Sequence, residues 1–313
     1  MVNLTKTQSF LLAMLITSVY LGIGVGFLFE ELADYSWILF ILLPLCLGVS
    51  IGMLPNKKTS VYATLLTTFV ILIALYIPGL SGLLCIFMAL PIIIPVIILG
   101  YAISNMMKRR KKMKDTTKFH LLMVPFIPFL IAAPTEHYLK TEKQNIIEVR
   151  TERIYNYTPD QVYDAIKSVD TLIAEKSFLM SFDLPVPTKC ILEKEEVGGI
   201  RTCYFDAGEM SNADFGAGTI TERITQLERG KVLKMDVIDY KLVGRKWLGF
   251  KEAIYYFDKA GEGSCKLTRI TTYTSVLSPR FYWEPLEKLG VSQEHDYVFD
   301  NLQSDLEKKY GEK

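Results

Sequence analysis

Long apolar runs in the first part of the chain give way to short alternating segments in the second. Four of the runs hold enough apolar residues to cross a bilayer, since a hydrocarbon core of about 30 Å requires about 20 helical residues. These runs are Ser9–Phe29, Trp37–Leu54, Val61–Ile77 and Leu83–Ile103. A fifth run, Phe119–Ala133, is shorter and contains two prolines. It predicts either a kinked span or a segment that lies at the membrane interface.

Basic residues between the runs predict their orientation. Lys57 and Lys58 separate the second run from the third, and seven Lys or Arg residues lie between positions 108 and 118. Short loops rich in Lys and Arg stay in the cytoplasm, so both loops are predicted to be cytoplasmic. If the fifth run crosses, the remainder of the chain lies outside the cytoplasm, which we favour. If the run only dips into the membrane, the remainder stays inside.

The first run predicts a retained helix, because its apolar stretch is longer than that of a secretory signal and no small-x-small cleavage pattern follows it. The first four runs contain no Asp, Glu, Lys or Arg. Charged groups within a bilayer are costly and usually functional. Their absence argues against an ion pump or a proton-coupled carrier and favours an anchor or a lipid-facing scaffold.

From residue 146 onward, β-branched and aromatic residues alternate with polar ones between glycine-bearing turns, a pattern typical of β-strands. Seven strands are predicted, at Ile146–Tyr157, Lys189–Glu196, Ile200–Phe205, Gly218–Leu227, Val232–Tyr240, Gly249–Asp258 and Ser264–Ser275. The short turns predict that neighbouring strands pair antiparallel.

Three helices accompany these strands. The capping box Thr158–Gln161, with proline at the first helical position, predicts a helix from Pro159 to about Ser168. A second short helix is predicted at Leu172–Met180. After the stretch Pro279–Pro285, a long helix is predicted from about Val291 to Lys309. Its apolar stripe consists of Val291, His295, Val298, Leu302 and Leu306.

The order of elements predicts an α+β protein with two parts. Residues 1–138 form a transmembrane helical bundle of four to five spans, and residues 146–310 form a seven-stranded antiparallel sheet curved around the long C-terminal helix. A sheet wrapped on one helix tends to leave a cavity between them, and such cavities are where small molecules bind.

Two regions of the second half resemble a known family. Val149–Ile154, which leads into Thr158–Tyr163, is similar to the first strand and the P-x-x-V-aromatic helix opening of the START/Bet v 1-like (SRPBCC) superfamily. Gly218–Thr225 and Arg229–Leu233 resemble its central hairpin, the part described as polyketide cyclase/dehydrase-like. The resemblance covers residues 146–310 and implies a helix-grip fold with a hydrophobic pocket for lipids, sterols or polyketides. It implies no reaction, since some members are enzymes and many only bind or carry.

Charge and cysteine content narrow the function classes. Only five of the 34 acidic residues precede position 138, so the net charge of +1 averages a sparse basic half with a mildly acidic one and indicates no nucleic-acid partner. The five cysteines show no CxxC and no metal-ligand spacing, and no metal site is predicted. Cys190 and Cys203 flank a hairpin turn and can face one another, but two free, buried thiols are the favoured interpretation.

Six residues are candidates for ligand binding. His295 lies on the buried stripe of the last helix, either as a general base or, as we favour, as a hydrogen-bonded core histidine. The alternation of the fifth strand points Met235 inward. The others are aromatic residues that can pack a ring against a ligand or simply fill the core: Tyr204, Tyr256, Tyr273 and Trp283. The pattern does not distinguish Tyr255 from Tyr256 as the inward residue.

Three hypotheses for function follow. The first is a membrane-anchored domain that senses, holds or transfers a hydrophobic small molecule or lipid. The second is a cyclase or hydrolase acting on such a molecule, which needs an acid–base pair; we favour the first, because no nucleophile elbow, P-loop or dinucleotide fingerprint occurs and no cofactor is predicted. The third is a protein-interaction module with a filled core.

Overall fold

The computed structural model describes residues 4–79, 81–110, 112–139, 145–212, 214–244 and 247–311. The chain divides into two compact units, and each contains a short segment from the other half of the sequence. Unit 1 takes Met1–Ile77, Cys85–Lys143 and Val276–Phe281. Unit 2 takes Pro78–Leu84, Gln144–Ser275 and Tyr282–Lys313.

Unit 1 is helical. Its elements are α1 (Lys6–Phe29), a π-helical turn (Ile38–Leu42) that leads into α2 (Leu43–Gly52), α3 (Lys57–Tyr76), α4 (Leu83–Arg109), α5 (Phe119–Met123), a 3-10 turn (Val124–Phe126) and α6 (Ile127–Leu139). Four helical stretches are long and apolar enough to cross a membrane: 6–29, 57–76, 83–109 and 119–139. The stretch 38–52, predicted as a span, forms a shorter apolar helix.

The fifth apolar run extends along the full length of unit 1. It is helical from Phe119 to Leu139, with a 3-10 turn where Pro125 interrupts the α-helix. Just before its start, the Thr116 amide donates to the Met53 carbonyl at 3.0 Å, at the end of the bundle that carries the basic loops. Near its end, Glu136 accepts a hydrogen bond from Ser36, in the loop at the opposite end. The segment therefore runs from one end of the bundle to the other.

Small and hydroxyl-bearing residues let the helices of unit 1 approach closely. The hydroxyls of Thr17 on α1 and Thr64 on α3 are 3.3 Å apart, and both are buried. A Cβ atom at Gly48 of α2 would lie only 2.1 Å from the Ile97 carbonyl oxygen of α4. Without a hydrophobic driving force inside a bilayer, such close backbone contacts and interhelical hydrogen bonds hold helices together.

Unit 2 contains the predicted seven-stranded antiparallel sheet. Its strands are β1 (Asn145–Tyr155), β2 (Val186–Leu192), β3 (Ile200–Asp206), β4 (Gly218–Glu228), β5 (Val232–Leu242), β6 (Leu248–Gly261) and β7 (Ser264–Ser275). The strand order β1-β7-β6-β5-β4-β3-β2 places the first strand beside the last. The helices are α7 (Pro159–Ile166), which begins with the predicted capping box at Thr158, and α8 (Arg280–Tyr310).

The second predicted short helix is wrong. Residues 172–180 form no helix, because their backbone hydrogen bonds go to other elements. The Leu172 amide donates to the Thr188 carbonyl at 2.8 Å, which ties the segment to the start of the edge strand β2. The Asn301 side chain of α8 accepts from the amides of Ile173 and Ala174 at 2.6 and 2.8 Å. These tertiary contacts override the local helical pattern.

The last helix begins earlier than predicted. It starts at Arg280 and includes Pro285, so the stretch Pro279–Pro285 is not a connector. Trp283 and Glu287 are buried and extend the stripe of Val291 and His295 toward the N-terminus in steps of four. Burial of this longer face outweighs the one backbone hydrogen bond that proline removes.

Unit 2 also holds the loop that joins α3 to α4. The Leu84 amide, in the first turn of α4, donates to the Asp183 carboxylate at 3.0 Å. Gly82 lies so close that a Cβ atom there would be 2.0 Å from the second oxygen of the same carboxylate. An acidic side chain at a helix N-terminus satisfies a free backbone amide, so Asp183 caps α4 from 99 residues away in sequence.

Candidate functional site

The space between the concave face of the sheet and α8 is apolar at both ends. Inward-facing residues alternate along each strand, as the pleat requires. The larger apolar cluster includes Tyr155, Leu233, Phe257, Leu267, Phe299, Leu302 and Leu306. The smaller cluster consists of Ile147, Val149, Tyr273 and Val291, with Leu248 and Phe250 packed against it.

A band of polar side chains lies among the same inward positions, and His295 on α8 belongs to it. Its Nδ1 atom is 2.9 Å from the Thr151 hydroxyl of β1, and its Nε2 atom is 2.8 Å from the Thr271 hydroxyl of β7. The imidazole is fully buried. Burial, with a further contribution from the positive charge of Arg269, holds the pKa of His295 well below its usual value. The ring is therefore neutral at physiological pH and bridges two strands through hydroxyl groups.

The second element of the band is a buried ion pair between β3 and β4. Arg201 and Glu222 are directly opposite in the strand register, and Nη1 of Arg201 lies 3.2 Å from the carboxylate of Glu222. Both residues are almost inaccessible, with 3% and 7% of their surfaces exposed. Nη2 of Arg201 donates to the Ile166 carbonyl at the end of α7, at 3.4 Å. Burial raises the pKa of Glu222, although Arg201 and Arg269 both oppose the shift.

A second ion pair joins β7 to α8. Both terminal nitrogens of Arg269 contact Glu294, and the shortest distance is 2.9 Å. The guanidinium groups of Arg201 and Arg269 both lie near the ring of Tyr255 on β6, with Cζ atoms 5.8 and 5.6 Å from the ring centroid. Tyr255 itself is only 2% exposed. One aromatic ring therefore connects the two ion pairs through cation–π contacts.

The six predicted ligand-binding residues fall into three groups. Met235 and His295 belong to the polar band, with the sulfur of Met235 3.8 Å from Nη1 of Arg201. Tyr273 and Trp283 are also buried, and the Tyr273 hydroxyl is 3.4 Å from the Glu287 carboxylate of α8. The other two, Tyr204 and Tyr256, are 38% and 40% exposed. The role of all six in binding a ligand remains a prediction.

The four ionic residues of the band were not predicted from the sequence: Arg201, Glu222, Arg269 and Glu294. Three of them, Arg201, Glu222 and Arg269, occupy positions that the strand pattern assigns to the interior. Glu222 alternates with the buried Ile220 and Ile224, and Arg269 alternates with Leu267 and Thr271 in the same way. A charged residue in phase with buried neighbours was the signal that could have identified them.

Cys190 and Cys203 form a disulfide, so the prediction of two free thiols is wrong. The two residues are directly opposite on β2 and β3, where Cβ atoms lie close enough to be bridged. Cys46, Cys85 and Cys265 are not part of a disulfide. Among the residues that the structure describes, no group of three or more His, Cys, Asp or Glu side chains could hold a metal ion.

No protein-family model matches the chain. No curated protein matches it either. Among solved structures, similar chains include an aromatase/cyclase from Streptomyces sp. R1128 with 13% identity, covering 53% of this chain and 96% of that one at a TM-score of 0.37. A norcoclaurine synthase from Thalictrum flavum has 12% identity, covering 54% and 98% at 0.38. A Staphylococcus aureus protein of unknown function has 14% identity, covering 55% and 100% at 0.39. Likeness at this level assigns no activity and no ligand to this chain.

Proposed function

We propose that this protein is a membrane-anchored binder of a hydrophobic small molecule or lipid, which it holds between the sheet and α8 of unit 2. The observation that carries the proposal is the almost inaccessible ion pair of Arg201 and Glu222 on the concave side of the sheet, beside the partly exposed pair of Arg269 and Glu294. The helix-grip order of elements and the sequence resemblance, which implies a hydrophobic pocket, support the same function.

The ionic band favours a binding interior over a filled structural core. Removing charged groups from water is costly, and replacing a buried ion pair with apolar residues is often neutral or stabilising. A domain whose interior only had to be stable would gain little from burying Arg201 and Glu222. Perturbed ionisable groups concentrate at functional sites, so their presence indicates that the interior recognises a molecule.

Binding is favoured over catalysis by the state of His295. A general base needs a free nitrogen within reach of a substrate proton. In the described contacts, each ring nitrogen of His295 meets a threonine hydroxyl. The histidine thus has the geometry of a structural bridge between β1 and β7.

Three observations support an extracytoplasmic position for unit 2. The fifth apolar run extends from the basic end of the bundle to the opposite end, which gives an odd number of crossings if 38–52 also crosses. Unit 2 includes Pro78–Leu84, which joins the third apolar run to the fourth, carries no Lys or Arg and would lie on the side opposite to the two predicted cytoplasmic loops. The disulfide between Cys190 and Cys203 is typical of an oxidising compartment.

Lipid extraction followed by mass spectrometry tests the binding function. The full chain is purified from membranes in mild detergent, and co-purifying molecules are compared with those of two variants. Ala253 is buried and pairs with Met235 and Thr271, so Ala253→Phe places a ring in the interior and is expected to exclude the ligand. Ile238→Phe, at an exposed position of β5, is the control and should retain it. Wild-type protein free of any enriched molecule would refute the proposal.

Site-specific labelling in intact cells tests the side of the membrane. Ile154 is exposed on β1, and Lys112 is exposed in the basic segment between α4 and α5. An impermeant maleimide should label Ile154→Cys and leave Lys112→Cys unlabelled until the membrane is opened. The reverse pattern would place unit 2 in the cytoplasm.

A further inference from the structure

Three segments that are far apart in sequence bring basic residues to one end of unit 1. The side chain of Asn56, just before α3, donates to the Leu4 carbonyl at 2.9 Å and to the Ser9 hydroxyl at 2.8 Å, which ties the start of α1 to the start of α3. The Thr116 amide, in the segment after α4, donates to the Met53 carbonyl at 3.0 Å. These bonds assemble a basic face that consists of Lys6, Lys57, Lys58, Arg109, Arg110, Lys112, Lys114 and Lys118.

The positive charge of the basic face is almost uncompensated. Positions 1–139 hold five acidic residues, and one of them, Asp115, pairs with Lys108 beside the face. The other four lie at the opposite end of the bundle: Glu30, Glu31, Asp34 and Glu136. Among the ion pairs of the described residues, none joins the face to an acidic side chain, and seven of its eight residues are exposed. The face therefore presents its charge to whatever surrounds this end of unit 1.

Exposed apolar residues border the basic face. Tyr62 follows Lys58 by one turn of α3, and Phe119 follows Lys118 directly; both are exposed, and both belong to stretches that are long and apolar enough to cross a membrane. In a bilayer, apolar residues at the end of a span contact acyl chains, and neighbouring Lys and Arg side chains extend to the headgroups. The face thus lies at the level of the lipid phosphates.

The convergence of these residues goes beyond what topology requires. Basic residues in short loops are enough to orient the spans, wherever each loop lies on the membrane surface. Here three segments share one face, and each Lys or Arg near a membrane surface strengthens the attraction to anionic lipid about fivefold. A headgroup with a net negative charge complements this face better than a zwitterionic one. A nucleic acid fits the position less well, because it would bring its own phosphates close to those of the bilayer.

We propose that the basic face is a binding site for anionic phospholipids, whose phosphate groups pair with Lys57 and Lys58 from one segment and with Arg109 and Arg110 from another. The site belongs to unit 1 and is independent of the molecule that unit 2 binds.

Competition between two lipids tests the site. The full chain in neutral detergent is mixed with equal amounts of phosphatidylglycerol and phosphatidylcholine that have identical acyl chains, and native mass spectrometry measures the bound fraction of each. Phosphatidylglycerol should be preferred by about tenfold or more. The double variants Lys57→Gln, Lys58→Gln and Arg109→Gln, Arg110→Gln should each lower this preference by about tenfold, although the two pairs lie far apart in sequence. Lys57→Arg, Lys58→Arg keeps both charges and should retain the preference.

The matched control removes two exposed charges from unit 2. Lys231→Gln, Lys241→Gln should leave the preference unchanged, and an equal loss in this control would overturn the proposal. Equal retention of the two lipids would overturn it, as would a preference unchanged in both glutamine variants of the basic face. Tighter binding of a single-stranded oligonucleotide than of phosphatidylglycerol would assign the face to a different partner.

A salt titration of the wild-type chain tests the same site without relying on the folding of any variant. Raising the salt concentration from about 0.1 to about 1 M shortens the range of electrostatic attraction and should reduce the preference for phosphatidylglycerol. A preference that persists undiminished would overturn the proposal. None of these results depends on the interior of unit 2, so failure of the proposed function would leave the lipid site standing, and the reverse also holds.

Discussion

The interiors of the two units bury polar groups in different ways. In unit 1 the buried polar groups of the helices are mainly hydroxyls, and several bond to the backbone of their own helix: Thr17 donates to the Ala13 carbonyl at 2.8 Å, and Thr64 to the Ser60 carbonyl at 3.0 Å. In unit 2 the interior holds arginines and glutamates whose partners lie on other strands or on α8.

The difference bears on the role of each unit. A hydroxyl that bonds within its own helix is satisfied before any other helix packs against it, so it is compatible with a lipid-embedded anchor. An arginine that depends on a partner from another element is satisfied only when the whole sheet and α8 have assembled. In unit 2 this dependence on other elements occurs in the part of the interior where we propose that a ligand is recognised.

The largest expected effect tests whether the pairing of Arg201 with Glu222 stabilises the interior of unit 2. Arg201→Met leaves Glu222 buried without its cation and should destabilise unit 2 by about 3–5 kcal/mol. The melting temperature of the full chain in detergent, followed by tryptophan fluorescence, measures the loss. Arg150→Met makes the same change at an exposed pair and should cost less than about 1 kcal/mol. Equal losses would mean that Arg201 is as solvated as Arg150.

The next effect tests the close packing of unit 1. Gly48→Leu forces a side chain into the Ile97 carbonyl and should destabilise the bundle by about 3 kcal/mol, seen as loss of monodisperse protein on size exclusion. Gly22→Leu on α1 is the matched control, because a Cβ atom there meets nothing within 4 Å. If the two variants behave alike, α2 and α4 do not pack at this glycine.

The disulfide between Cys190 and Cys203 is a source of stability that belongs to unit 2. Its cysteines are 13 residues apart, and closing a loop of that size stabilises a fold by about 3 kcal/mol. The double variant Cys190→Ser, Cys203→Ser should melt at a lower temperature by a corresponding amount. Reduction of the wild type should reproduce the shift, and a variant as stable as the wild type would contradict the prediction.

The smallest effect concerns the pH dependence of unit 2. Because burial lowers the pKa of His295 in the folded state, the unfolded chain binds more protons once the pH falls below about 6.5. Stability should therefore be complete above that pH and decrease on acidification, by at most about 1.4 kcal/mol per pH unit. His295→Gln retains hydrogen-bonding capacity toward Thr151 and Thr271 but should lose this part of the acid dependence. A wild-type slope unchanged in the variant would assign the dependence to other groups.

Local patterns were sufficient to predict most of the fold. The alternation of each strand, the capping box at Thr158 and the stripe from Val291 to Leu306 were properties of neighbouring residues, and all are found in the structure. The predictions of secondary structure failed where the backbone conformation depends on residues far away in sequence. Residues 172–180 form no helix because Thr188 and Asn301 take their amides, and those partners are far away in sequence.

The candidate site was harder to predict than the fold. The inward positions of Met235 and His295 were predicted from the strand alternation and the helical stripe alone. The choice between Tyr255 and Tyr256 depended on the register of β6, in which Tyr255 pairs with Leu233 and Arg269. The pairing of Arg201 with Glu222 can be predicted only from the register of β3 against β4. The pattern of a single strand does not contain that information.

The cap that Asp183 provides to α4 has a consequence for biosynthesis. When Leu84 is added to the growing chain, the residue that completes the first turn of α4 is still 99 positions from being translated. The Leu84 amide therefore lacks this acceptor until Asp183 has been made, and the loop acquires its final form only after the distal domain has been synthesised. Maturation of this part of the chain is thus a late event, whose completion depends on successful folding downstream.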